Sequence, residues 1–567
     1  MCIDPVFKET ATCFCVSSGN IFFMRYNKLI VFFVACIAVS CQTKTPFYKV
    51  SDQSIADIDD RIFGAFFEKA TWDHEIGADA AISLKTKAVF PEVLDYMKWM
   101  NIPVVRFPGG TAIDYYPWYN LIDHMPGHHD KRPANLHYEA INKEINHSSD
   151  GRMGLHEFMT LCGQTNMEPM LVVNVGDAYF HKKTIEEAAQ NLGADFVSYC
   201  NDTEGRWADL RAKNGHPAPF AVKYWQIGNE PWAFKGLNPR NRNAESVKQY
   251  AQSMIAYAKA MKAADPTIQL FIDATDDNEK QILAAIPDDI DYLTFHSYTP
   301  WGIRNFKKDD QPIDPQEVSD KAVWQALVAA PFIDQQTGYS KLNSSVLQKN
   351  DKPLAVTEWN WNGWFDGEAK SKQPANELLA YGLGAGSYLH AIMRQADKIK
   401  VANQSMLLGT GWKISGIRVD TTEQQRPIMY PSAMVTGLYS RHHGQQLLPF
   451  EGTALHYYEQ PFKLSLLKPQ PKVAEQDIVI TADAQHYYLH ILNRSYDEKR
   501  PLTFEFEQEI ADDYTEYRLA ESDDHSMSPY AGITTLNHQN YNSTDRQLTV
   551  CVSPKSITIF KIQKDNR

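Results

Sequence analysis

From about residue 60 to about residue 410 the chain repeats one unit: a short apolar run, then an amphipathic stretch. The apolar runs fall at Ile62–Phe67, Pro103–Phe107, Met170–Val175, Val222–Ile227, Ile268–Asp273, Tyr292–His296, Leu354–Thr357 and Ser405–Gly409. Runs without polar alternation predict strands buried on both faces. Between them, Val93, Tyr96, Met97 and Met100 repeat at helical spacing, and Ala251–Ala264 is rich in strong helix formers. Strands alternating with helices predict a parallel sheet, and eight such units predict an α/β fold, a (β/α)8 TIM barrel. A doubly wound open sheet is the second choice, because no glycine-rich phosphate loop follows the first strand.

After about residue 440 the period changes to two. Leu502, Phe504 and Phe506 alternate with Thr503 and Glu505, Leu489 and Ile491 flank His490, and Ile557 and Ile559 flank Thr558. With turn-rich spacers between them, these runs predict a C-terminal antiparallel β-sandwich. The expected division is therefore 1–45 leader, 46–440 catalytic barrel and 441–567 sandwich. Within the leader, Arg25 and Lys28 precede an apolar run from Leu29 to Val39, then Ser40 and Cys41. That is the pattern of a secretory signal, too short for a stable membrane span. The segment Ala38-Val39-Ser40-Cys41 resembles a bacterial lipobox, with Met24 as the true start. The expectation is an exported bacterial lipoprotein, facing the outer membrane or periplasm and touching the membrane only through a lipid on Cys41.

Composition narrows the partners. A formal charge of −13 and a pI near 5.8 leave no basic stripe for phosphates, so nucleic acid is excluded as a partner. Outside the leader only Cys162, Cys200 and Cys551 remain, an odd and scattered set that makes neither a disulfide framework nor a zinc site. The loop "HMPGHHD" gathers His124, His128, His129 and Asp130, but no helix or strand spacing supports a metal there. No metal and no cofactor is expected.

Two of the strand candidates end on a carboxylate. "VKYWQIGNEPW" stops at Glu230 and "PLAVTEWNW" at Glu358, the fourth and seventh strands in order. Barrel chemistry sits at the C-terminal ends of strands, and these two face one another across the mouth. A carboxyl pair so placed suits glycosidic bond cleavage, one group protonating the leaving oxygen while the other attacks the anomeric carbon. "FHSYTPW" adds His296 and Tyr298 on one side of the sixth strand, and Arg106 in "VVRFPGG" is suited to keep a carboxylate ionised. Trp225, Trp232, Trp359, Trp361 and Trp364 form an expected ring of tryptophans near the site.

The ordered motifs "RFPGG", "MLVVNVG", "FVSYCN", "LRAKNGHPAPFAVKYWQIGNEPW", "FHSY", "VTEWNW" and "KVANQ" resemble the α-L-arabinofuranosidases of the clan A glycoside hydrolases. The likeness runs from about residue 60 to 445. It implies a retaining, exo-acting hydrolase with Glu230 as acid/base and Glu358 as nucleophile. It further implies that Asn229 and Glu68 bind the sugar hydroxyls, that His296, Tyr298 and Arg106 support the carboxylates, and that Thr111 and Trp359 line the substrate. The implied partner is a carbohydrate, and the family often forms oligomers, so a homo-oligomer is the matching expectation.

Three departures from the family pattern bear on the sugar. Thr111 stands where Asn or Cys is common, Lys69 where a His follows the furanose-binding Glu, and Met406 where a Gln is usual, with Gln404 shifted. Each is expected to touch sugar recognition rather than the catalytic pair, which keeps a galactofuranoside or a pyranoside of a marine or plant polysaccharide in view. The rivals from other classes are a non-catalytic carbohydrate-binding lipoprotein and a structural surface protein.

Overall fold

The structure is a computed structural model. It describes residues 45–565 apart from 71–74, 134–150, 232–233, 238–240, 274–288, 299–301, 304, 330–350, 363, 366–375, 453, 455, 464–468 and 541–544. The leader with Cys41, and Trp232, lie outside the described residues.

Eight parallel strands close into a barrel: β1 Gly64–Phe66, β2 Val104–Phe107, β3 Glu168–Val173, β4 Tyr224–Ile227, β5 Gln269–Asp273, β6 Tyr292–Tyr298, β7 Leu354–Asn360 and β8 Ile399–Ser405. The described helices outside it include α1 Pro91–Met100, α2 Leu155–Thr165, α3 Ala244–Ala264, α4 Glu377–Met393 and α5 Pro431–Arg441. In α1 the buried residues are Val93, Tyr96, Met97 and Met100, the stripe that its spacing predicts. Two boundaries differ from expectation. The first barrel strand loses Ile62 and Phe63 to a 3-10 turn, and the eighth is Ile399–Ser405, earlier in the chain than the expected Ser405–Gly409. In "IKVANQS" polar side chains interrupt the apolar run, which hid that strand from an apolarity reading.

The barrel interior is layered. Val104, Met170, Tyr224, Phe271, Tyr292, Ala355 and Val401 pack into one apolar cluster inside it. At its lower end the Arg61 guanidinium, paired with Asp59 at 2.6 Å, donates to the hydroxyls of Tyr224 and Tyr292 at 3.3 and 3.2 Å. Two residues further along five of these strands, on the same face, come Arg106, Gln226, Asp273, Thr294 and Asn403, with the apolar Val172 on β3 and Phe66 of β1 beside them, all buried. Side chains thus change from apolar to polar towards the C-terminal mouth, where the site sits.

The sandwich has a seven-stranded and a four-stranded sheet. Leu502, Phe504, Leu489, Ile491 and Phe560 fill the space between them. Phe47–Val50 pairs parallel with Arg500–Glu505 and antiparallel with Phe450–Gly452, and Ala56–Asp57 pairs with Gln446–Leu448. Residues 46–57 therefore belong to the sandwich, a correction to the expected boundary at 45/46. The far face of the seven-stranded sheet lies on the barrel helices. Tyr439 of α5 stacks against His490 at 4.8 Å and meets His390 of α4 at 2.7 Å, while Arg494 reaches Ser387 of α4 at 3.0 Å.

Tyr48 is 3 % exposed and stacks on Phe504 at 5.3 Å, so the N-terminal strand carries core load. Tyr48→Ala is expected to cost about 3 kcal/mol or more, as for other large-to-small aromatic truncations. Chemical denaturation checks this, and an unchanged midpoint would place the strand outside the cooperative core.

Candidate active site

The mouth of the barrel brings together residues from six strands or the turns that follow them. Arg106, fully buried on β2, extends its fork to three side chains. Nη1 meets Glu358 at 2.8 Å, Nε meets Gln226 at 2.8 Å and Nη2 meets Asn229 at 2.6 Å. The ring of Phe66 lies against the guanidinium at 4.5 Å. Because Asn229 Oδ1 accepts from Arg106, its amide is fixed with Nδ2 pointing away, and that nitrogen is buried without a partner among the described residues. It is a donor held ready for a ligand.

The two reacting candidates sit above this cluster. A slip in register between Val356 and Glu358 places an extra residue, Thr357, in β7, and Glu358 pairs alongside His296 of β6. Tyr298 donates to Glu358 Oε2 at 2.7 Å. Its hydroxyl is held well above the ordinary phenol range by burial and then by the Glu358 charge, so it stays protonated and donates. His296 Nδ1 lies 2.9 Å from Glu230 and 3.6 Å from Glu358, and its Nε2 meets the Thr357 hydroxyl at 3.1 Å. A hydroxyl donates or accepts, so Thr357 suits either imidazole tautomer. One oxygen each of Glu230 and Glu358 and one His296 nitrogen lie within 4.8 Å of one another.

Glu230 is reached by a turn with left-handed backbone at Gly228 (φ 73°) and at Glu230 itself (φ 43°). A side-chain-bearing residue in that region costs about 1–3 kcal/mol and persists only where its surroundings hold it. Part of that hold is Asp114, which accepts the N–H of Asn229 at 3.2 Å and of Val175 at 2.8 Å. Burial raises Asp114 to about 7 against the lowering pull of these N–H groups and that of Gly176.

Glu68, one turn beyond β1, is the third carboxyl. Burial raises it to about 8 and the Glu358 charge adds to this, while Arg106 and the Gly110 N–H pull it down. The Gly109-Gly110 turn is shaped by it, since a Cβ at Gly110 would stand 3.0 Å from Glu68 Oε1 and 3.5 Å from Glu358 Oε1. Thr111 follows directly, half-buried, as the first residue of a 3-10 turn.

The sequence-predicted set thus divides. Glu68, Arg106, Asn229, Glu230, His296, Tyr298 and Glu358 converge, and Thr111 is their chain neighbour. Trp359 does not join them. It alternates away from Glu358 along β7, is fully buried and stacks on Tyr388 of α4 at 5.2 Å. Trp225 and Trp361 are buried likewise, against Phe196 and against Tyr381 of α4, so these three tryptophans of the expected ring are helix-packing core. One departure, Lys69, also turns away from the site, and so does the shifted Gln404. Lys69 Nζ is buried on Asp79 at 2.7 Å and the Met153 carbonyl at 2.8 Å, and Gln404 pairs with Thr436 at 2.7 Å and Ser432 at 3.2 Å in α5. Sequence reading missed Gln226, Thr357, Asp114 and Ser405, whose side chain bonds the Tyr298 hydroxyl. Gln226 was within reach, since it shares the inward parity of Tyr224 on β4.

With the geometry in place, comparison with known proteins is informative. The family model described as the alpha-L-arabinofuranosidase 1 domain matches residues 96–312. An intracellular exo-alpha-(1->5)-L-arabinofuranosidase 1 of Bacillus subtilis is 24% identical over 426 residues, covering 70% of this chain and 76% of the relative. A protein named probable alpha-L-arabinofuranosidase C, of Aspergillus fumigatus, is 34% identical over 330 residues, covering 55% of this chain and 58% of its own length. This chain therefore spans a little over half the length of that fungal relative. In fold, it matches the crystal structure of an arabinose complex of alpha-L-arabinofuranosidase from Thermotoga maritima with TM-score 0.65 at 20% identity, covering 92% of this chain and all of that one.

A carboxyl raised to about 8 is neutral through the acid and neutral range and both donates and accepts towards vicinal hydroxyls. Substrate KM is expected to rise above pH 8 in the wild type, as ionisation adds a negative charge beside Glu358, and to stay flat there in Glu68→Gln. The same shift costs stability as pH rises from 4.5 towards 8, because the unfolded chain gives up this proton first. Denaturation midpoints across that window, wild type against Glu68→Gln, check the sign.

Proposed function

We propose that this chain is a retaining, exo-acting glycoside hydrolase that releases α-L-arabinofuranosyl residues from oligo- or polysaccharide. The family model, the curated relatives and the barrel fold support a clan A enzyme of the arabinofuranosidase type. One observation supports the reaction type: an oxygen of Glu230 and one of Glu358 lie within 4.8 Å of each other, which fits a retaining pair at about 5–5.5 Å better than an inverting pair at about 6.5–9.5 Å.

In this reading Glu230 protonates the glycosidic oxygen while Glu358 attacks the anomeric carbon, giving a covalent glycosyl-enzyme. Glu230, now a carboxylate, takes a proton from water as the water displaces Glu358. The side chains around the pair divide these duties. Arg106 and Tyr298 each hold one oxygen of Glu358, which fixes the plane of the nucleophile. His296 bonds Glu230 and so orients the acid. Asn229 Nδ2 and Glu68 are placed to take sugar hydroxyls. Since Lys69 turns away from the site, that departure gives no reason to expect a different sugar.

Aryl α-L-arabinofuranoside is the first substrate to test. Wild type is expected to turn it over with retention, read as first-formed anomer by NMR, and Glu358→Ala to lose at least about 10³-fold in kcat. Absence of turnover by the wild type would overturn the sugar assignment.

The leader pattern further supports export and lipidation at Cys41, by its basic start, apolar run and small residues before the cysteine. Radiolabelled palmitate is expected to enter the wild type expressed in a bacterial host and to be lost in Cys41→Ser; an unlabelled wild type would overturn the anchor.

A further inference from the structure

Glu75 touches neither reacting carboxyl, yet it is one of the most heavily bonded carboxylates in the molecule. It is 1 % exposed. Its Oε1 accepts from the N–H of Ile76 at 2.9 Å, of Gly77 at 3.0 Å and of Thr410 at 2.6 Å, and from the Thr410 hydroxyl at 2.8 Å. Its Oε2 accepts from the N–H of Gly411 at 2.8 Å and of Trp412 at 3.0 Å. Among the described residues no cation pairs with it, and its donors are five backbone N–H groups and the Thr410 hydroxyl. Burying a carboxylate is costly, and a full set of N–H and O–H donors is what makes it tolerable.

The donors come from two places. Ile76 and Gly77 belong to the segment after β1, and Thr410 to Trp412 belong to the segment after β8. Glu75 therefore closes the seam of the barrel mouth where the first and last strands meet. The next residues reach the site: Gly77 is left-handed (φ 58°), and the Ala78 N–H donates to the Glu68 carbonyl at 2.7 Å. A Cβ at Gly77 would collide with that carbonyl, so the backbone there is pressed directly against Glu68. On the far side, a Cβ at Gly409 would stand 3.0 Å from Glu75 Oε2. Loop and carboxylate are fitted to one another.

We infer that Glu75 is a positioning residue that sets substrate affinity, holding the Glu68 side of the pocket in place through Gly77 and Ala78. This rests on the proposed role of Glu68 in gripping the sugar. Glu75→Gln is the matching test, because an amide NH2 must then face N–H donors on one side of the seam. At a temperature where both proteins are folded, KM for the aryl arabinofuranoside is expected to rise about tenfold, with kcat within about threefold. The pH profile of kcat should not move, since Glu230 and Glu358 keep their partners, and the inhibition constant of free arabinose should rise with KM. Hydrogen–deuterium exchange gives a second readout that needs no turnover. Faster exchange in peptides covering 64–70 as well as 409–413 is expected. A lowered melting temperature with unchanged KM, or faster exchange confined to 409–413, would make Glu75 a structural latch only and overturn the inference. A wild type inactive on arabinofuranosides would instead sink the sugar assignment, leaving the exchange pattern to decide the positioning role.

Discussion

A single guanidinium buried in the throat of the barrel organises everything above it. Arg106 stands among three carboxyls, and its fork is divided so that Glu358 receives charge, Asn229 receives orientation and Gln226 receives the remaining N–H. A lysine there would supply the charge but not the three fixed directions. The ring of Phe66 against the guanidinium keeps water from competing for those directions. Its place two residues above Val104 of the apolar layer sets the guanidinium at that depth.

Around this charge the carboxyls are kept in different states by position. Glu358 has Arg106 and Tyr298 on its two oxygens, whereas Glu68, equally buried, has a backbone N–H and a carboxylate neighbour and is raised to about 8. Three acidic groups in one small volume cannot all ionise cheaply, and it is Glu68 whose carboxyl is raised. Glu230 is set apart by its backbone, which turns left-handed after Gly228 and is held by Asp114 from a neighbouring loop.

Much of this was legible in the sequence, for identifiable reasons. Strands ending on Glu230 and Glu358 are local signals, and His296 with Tyr298 follows from period-two alternation. Trp359 was misplaced because proximity in sequence was read as proximity in space. The alternation that turns Glu358 inward turns its neighbour outward onto α4. Lys69 was read by its chemistry, but its partner Asp79 lies ten residues on and its second partner, the Met153 carbonyl, far beyond. In the sandwich, His490 and Thr558 alternate with apolar residues as a solvated face would, yet both are fully buried, His490 against Tyr439 of α5 and Thr558 on the inner face of its strand with Phe560 and Ile562. Asp114, Thr357 and Glu75 act on backbone groups or on a partner distant in sequence, and no motif marks such contacts.

The chain enters and leaves the barrel through the sandwich. Ala56–Asp57 pairs with Gln446–Leu448, so the strands that bracket the whole barrel are hydrogen-bonded neighbours. Phe47–Val50, ahead of them, is clamped between Phe450–Gly452 and Arg500–Glu505. Mechanically this makes the barrel a side loop off a closed ring. A pull applied at residue 46 against the last strand, Ser556–Lys564, bears first on sandwich strands at both ends, before the eight-stranded barrel. Tension on the N-terminal end therefore reaches the carboxyl pair only after the sandwich has given way.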